Sequence, residues 1–172
     1  MITVRPLRPD EGRIYLEIVN SAIHGLACTH YPPEVIAQWT VAINDGTLRE
    51  LALNSDSEIR LVAELDGRPA GIGALVIERS ELRACYVRPA AARRGCGSAL
   101  VREIERLASE HGLSHLQLAA SLNAEAFYAA QGYQVRTRSD VTLRNGFVMR
   151  AASRSLQRPD WHGTPIALGE PA

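Results

Sequence analysis

The chain has 172 residues, close to the size of one domain and long enough to bury a core without disulfide or metal staples. Its 46% apolar and 22% charged residues are those of an ordinary globular protein. The 19 basic and 19 acidic residues cancel, which argues against a dedicated nucleic-acid binder, since those usually carry a basic excess.

Cysteine usage and the termini narrow the class further. Cys28, Cys85 and Cys96 are odd in number and widely spaced, with no CxxC pair for zinc or redox work. Reduced thiols in a cytoplasmic protein are the expectation. The opening "MITVRPLRPDEGR" lacks an apolar core segment, so no signal peptide is expected. No run of about 20 apolar residues occurs, so neither a membrane span nor a membrane partner is expected.

In chain order, "ITVRPL" alternates and then meets proline, as a first short strand does. From Asp10, Ile14, Ile18, Val19, Ala22 and Ile23 recur at helical spacing, predicting an amphipathic helix to about His24. "GLACTHYPPE" is a loop whose prolines open a second short helix through Trp39, and "NDGTLRELALNSD" adds a helical turn or two. "EIRLVAEL" and "PAGIGALVIE" flank the turn "DGR" as a hairpin, and "ELRACYVRP" is a third strand stopped by Pro89. An amphipathic helix is expected from Ala99 through Leu100, Val101, Ile104, Leu107 and Ala108, with Gly112 placed to end it. "LSHLQLAAS" is a strand and "NAEAFYAAQ" a short helix capped by Gly132. "YQVRTRSDVTL" and "FVMRAA" form a last hairpin around "RNG". The order is that of an α+β domain with one inserted crossover, covering residues 1–152. Residues 153–172 are a tail rich in proline and glycine, either mobile or packed on a partner subunit of a homodimer with Trp161 as anchor.

The stretch "ARRGCGSAL", residues 92–100, sets two arginines against two glycines at the start of a helix. A helix N-terminus presents unpaired N–H groups and a positive dipole end. Glycines let a ligand reach that backbone, and Arg93 and Arg94 add charge-assisted donors. A Walker loop is excluded because no lysine or correct spacing is present. A dinucleotide loop fits Gly95 and Gly97 but meets Leu100 at its third glycine position. The remaining pattern, R/Q-x-x-G-x-G/A, is met by Arg94, Gly97 and Ala99 between a strand and a long helix.

With this loop in "YVRPAAARRGCGSALV" and a later "NAEAFYAAQGYQV", the sequence resembles the GNAT superfamily of acyl-CoA-dependent N-acyltransferases. The resemblance is strongest over Glu81 to Val135. It implies a mixed, splayed, mostly antiparallel sheet of about seven strands flanked by about four helices. It further implies acetyl-CoA as co-substrate, entering between the strand ending at Val87 and the one near Leu118. The pantetheine arm would pair with backbone near Cys85, Tyr86 and Val87. The pyrophosphate would sit on the N–H groups of Arg94, Gly95, Cys96, Gly97, Ser98 and Ala99. The Cys85 N–H would steady the thioester carbonyl.

The implied chemistry needs a neutral amine, an oriented thioester and a proton for the departing thiolate. Tyr128, the second aromatic of "FY", is the candidate acid by resemblance. Glu81 matches a glutamate that serves as base in the histone-acetylating branch. Asn123 either touches the cofactor or caps the helix carrying Tyr128, a duty for which Ser121 competes. His24, His30 and Tyr31 follow the first helix and are candidates for acceptor recognition. His111 and His115 straddle Gly112, so one helix face does not present both, and no metal is expected. The expected function is N-acetyl transfer to a small-molecule or protein amine. The alternative is a catalytically inactive CoA-binding regulatory or scaffold module.

Overall fold

The computed structural model describes residues 1–53, 58–142 and 148–156. Strand β1 (Ile2–Pro6) leads into α1 (Gly12–Ala22), which ends in a π-helical turn over Ile23–Ala27. The predicted regular helix to about His24 is thus cut short. The wider turn lies where the chain presses on the loop after the fourth strand: a Cβ at Gly25 would lie 2.2 Å from Pro89 Cγ. Then come α2 (Pro33–Trp39) and α3 (Asp45–Leu53). The latter is a full helix rather than a turn or two. Asn44 Oδ1 nucleates it by accepting the N–H groups of Gly46 and Thr47 at 2.9 and 3.1 Å. None of its side chains is deeply buried, so its apolar pattern is faint in the sequence.

Strands β2 (Ile59–Leu65), β3 (Arg68–Val76) and β4 (Glu81–Val87) follow as an antiparallel meander. Asp66 and Gly67 take positive φ values of 52° and 76°, which the tight β2–β3 turn requires. Helix α4 (Cys96–Glu110), β5 (His115–Ala120), α5 (Glu125–Ala130), β6 (Gln134–Thr142) and β7 (Val148–Ser155) complete the chain. The "RNG" turn between β6 and β7 lies outside the described residues. So does Trp161, the expected tail anchor. Strand β7 crosses the boundary expected after residue 152, and Leu156 N–H still bonds Ser114 O at 2.9 Å.

The seven strands form one sheet in the order β1-β2-β3-β4-β5-β7-β6, antiparallel except between β4 and β5. Five α-helices are seen among the described residues, one more than expected. The α1 and α2 side chains pack on one face through Ile18, Val19, Ile23 and Ile36, against Val62 and Ile72 of the sheet. Helix α4 covers the other face through Leu100, Val101 and Ile104, all fully buried. Each such side chain stabilises the packing by about 1.5–3 kcal/mol. Gly71 and Gly73 of β3 let α4 come close: Cβ atoms there would meet Leu100 Cδ1 at 3.1 Å and Ile104 Cδ1 at 3.0 Å.

Candidate active site

Strands β4 and β5 run parallel but pair at a single position, Glu81 with Gln117. Beyond it they diverge. Arg88 N–H donates back to Ala70 O of β3 at 2.8 Å. Backbone groups alternate sides along a strand, so the N–H groups of Cys85 and Val87 point the other way, into the gap. Because no β5 partner is there to take them, this edge is open to an extended ligand.

The gap is part of a cleft of about 690 Å³. At one end stands the start of α4. Arg93 and Gly95 take positive φ values of 59° and 93° and turn the chain sharply into the helix. The N-cap is Gly95, which has no side chain to satisfy the first helical N–H groups. Those of Cys96, Gly97 and Ser98 are therefore left for a ligand, at the positive end of a 15-residue helix. The helix begins three residues before the predicted Ala99. Ala99 N–H is consequently spent on Gly95 O at 2.9 Å, and Arg94 N–H on Ala91 O at 3.4 Å. Two of the six N–H groups expected to face a pyrophosphate are thus already bonded within the protein.

Arg93, Gly95, Gly97 and Ser98 line the cleft. Arg94 does not; its guanidinium turns to Asp66, 3.5 Å away, on the opposite side of the turn. The Cys96 side chain is buried in the α4 core, where desolvation raises its pKa. It offers its backbone only. Gly97 also makes room: a Cβ there would lie 3.2 Å from Phe127 Cζ.

In the middle of the cleft are Cys85, Tyr86, Val87, Asn123 and Tyr128. Tyr128 projects from α5 and is buried, with its ring edge-on to Tyr133 at 5.7 Å between centroids. Burial holds its hydroxyl well above the ordinary phenol value of 10, with the Cys85 side chain as a neighbour. Burial likewise pushes the Cys85 thiol up to about 12. The Cys85 Sγ approaches Gly97 O at 3.9 Å and so links β4 to α4. Neither Asn123 nor Ser121 caps α5 through its side chain. Asn123 Oδ1 is instead buried beside the gap with no hydrogen-bond partner among the described residues. A buried amide oxygen left so is costly unless a ligand satisfies it.

Glu81 stands apart. It does not line the cleft, and Arg83 holds its carboxylate at 3.1 Å with Arg79 at 3.9 Å. Four residues of strand separate it from Cys85, roughly 13 Å at 3.3 Å per residue. Direct proton transfer at Cys85 is out of its reach. From there it could reach the cleft only through water.

The remaining wall comes from the π-helical turn, α2 and β7. Ile23, Leu26, Trp39 and Met149 make it largely apolar. His30 lines it, with Nδ1 2.8 Å from the Thr29 hydroxyl. His24 does not; it is exposed and shares a hydrogen bond with Thr40 at 2.9 Å. Tyr31 is buried as a brace, its hydroxyl accepting Leu122 N–H at 2.8 Å. No sequence pattern marks Arg83, Trp39 or Met149 as lining residues, because their elements meet only in the fold. Among the described residues no group of three or more His, Cys, Asp or Glu is placed to hold a metal. No helix there is long and apolar enough to cross a membrane.

The orphaned Asn123 oxygen, the uncapped α4 N-terminus and the open β4 edge together fit a long ligand with an anionic end and an amide-bearing arm, as coenzyme A has. Comparison with known proteins agrees. The family model described as "Acetyltransferase (GNAT) domain" matches residues 27–151. The chain is similar to the GCN5-related N-acetyltransferase of Rhodopseudomonas palustris, at 27% identity and a TM-score of 0.80, over 90% of this chain and 95% of that one. The PaiA N-acetyltransferase of Thermoplasma acidophilum, solved with coenzyme A, matches at 18% identity and a TM-score of 0.72, over 90% and 99% of the two chains. YncA of Salmonella typhimurium, solved with acetyl-CoA, matches at 21% identity and a TM-score of 0.65, over 97% and 99%. Because the family match spans most of its length, the chain belongs to the GNAT superfamily of acyl-CoA-dependent N-acyltransferases.

Proposed function

We propose that the protein transfers an acetyl group from acetyl-CoA to a primary amine by direct attack within a ternary complex. What carries this reading is the alignment along one cleft of an uncapped helix N-terminus, an open strand edge and a buried tyrosine. Acetyl-CoA supplies the activated acetyl thioester. The N–H groups of Cys96, Gly97 and Ser98 hold its pyrophosphate, with Arg93 adding charge. Asn123 and the β4 edge orient its arm. The Cys85 N–H donates to the thioester carbonyl, where negative charge grows during attack.

Tyr128 is the proton donor to the departing thiolate. Its raised pKa keeps the phenol protonated throughout the physiological range. The amine sheds its proton to water entering the open mouth of the cleft, since Glu81 lies too far along β4 to take it.

Release of free thiol from acetyl-CoA in the presence of an amine panel tests the reading. Turnover is expected, with Tyr128→Phe lowering kcat by about 100-fold or more while acetyl-CoA affinity is retained. Tight CoA binding without thiol release on any amine would overturn it and favour the inactive CoA-binding module.

A further inference from the structure

The charges along the cleft are one-sided. Among the described residues that line it, Arg83 and Arg93 are charged and no aspartate or glutamate is present. Arg93 stands at the start of α4, where the donor's pyrophosphate is assigned. Arg83 is left at the other end, on the acceptor side.

The way Arg83 is held is unusual for a strand residue. Ala74 pairs with Ala84 and Leu75 with Leu82, so Arg83 is the extra residue of a β-bulge. A bulge re-aims the side chain it carries. Arg83 Nη1 donates to Glu58 Oε1 at 2.9 Å and Nη2 to Glu81 Oε2 at 3.1 Å. Glu58 is itself buried and shared with Arg60 Nε at 2.8 Å. These carboxylates grip the guanidinium from outside the cleft. Two of its five N–H groups are used by them, leaving donors for a ligand. With Arg79 beside Glu81, the local set of three arginines and two glutamates retains positive charge.

The cleft is also walled by Ile23, Leu26, Trp39 and Met149. Arg83 lies two residues from Cys85, about 6–7 Å along the strand. A compact molecule can place an amine at Cys85 and an anionic group at Arg83. We propose that the acceptor is an amine that also carries a carboxylate, of the apolar amino-acid type, with Arg83 binding the carboxylate. This rests on the acetyl-transfer reading above. A polycationic acceptor would meet two arginines and no countercharge in the cleft.

The test compares apolar amino acids with their own carboxamides as acceptors, using thiol release at saturating acetyl-CoA. The amide removes the charge and leaves the body intact. Its amine is also the less basic, so intrinsic reactivity runs against the proposal. The wild-type protein should favour the acids by about ten- to hundred-fold in kcat/KM, the span of one charge-assisted contact. Arg83→Gln should abolish that preference with acetyl-CoA affinity unchanged, and Arg83→Lys should retain part of it. The wild-type comparison stands even if Arg83→Gln fails to fold. Equal rates on acid and amide, or turnover confined to amines without a carboxylate, overturn this inference and leave acetyl transfer standing. CoA binding without turnover on any amine overturns both.

Discussion

Tyr128 and Glu81 carry the two titratable oxygens that the resemblance singled out, in opposite surroundings. Tyr128 is buried against Cys85 and Tyr133, so its proton is retained and aimed. Glu81 is partly exposed and ion-paired with Arg83, outside the cleft. Glu81→Gln is expected to change kcat by less than about threefold, read by steady-state thiol release. A fall of 100-fold would restore the carboxylate to the proton path. The difference between the two was not legible in the sequence. Position in a motif gives Tyr128 a helix and Glu81 a strand. The face that Glu81 takes on β4 depends on the bulge at Arg83, which shifts the register by one residue.

At the scale of elements, α4 is both a packing centre and the helix whose uncapped N-terminus opens on the cleft. Its apolar stripe is strong in the sequence, and the helix is found where expected apart from its start. That start moved because Gly95 adopts a left-handed φ that other residues resist, and the helix closes on it at once. Gly97→Glu would add a Cβ 3.2 Å from Phe127 and a negative charge among the free N–H groups. Acetyl-CoA affinity is expected to fall by at least about 100-fold in calorimetry, with melting temperature changed by a few degrees only. Retained affinity would remove the pyrophosphate from this loop. The π-helical turn after α1 gave no sequence signal, since its cause is the close approach of Gly25 to Pro89, 64 residues away.

Across the whole molecule, β1 is tied to the start of α1 by an ion-pair network distant from the cleft. Arg5 donates twice to Glu11 at 2.7 Å and once to Glu64 at 2.8 Å, and Glu11 also accepts Arg8 N–H at 2.9 Å. The Arg5 guanidinium holds the buried Glu11 carboxyl down at about 2, against 4.5 ordinarily. A folded value below the unfolded one means stability that is full above about pH 4.5 and lost as the pH falls toward 2. Glu11→Gln should therefore cost about 2 kcal/mol at pH 7, and the gap from wild type should close between pH 4.5 and 2 in denaturant unfolding. A gap independent of pH would mean that the loss is one of packing.

The sequence by itself determined the class of fold, the order of nearly every strand and helix, and the glycine-rich turn that opens α4. These depend on local periodicity, turn residues and short motifs, all of which act within a few residues. Tertiary structure alone decided where β4 and β5 part, which N–H groups of the loop stay free, and that Arg83 rather than Glu81 faces the cleft. Those outcomes depend on register, on a bulge and on contacts between residues distant in the chain. No window of sequence contains both partners of such a contact, so only the folded chain decides them.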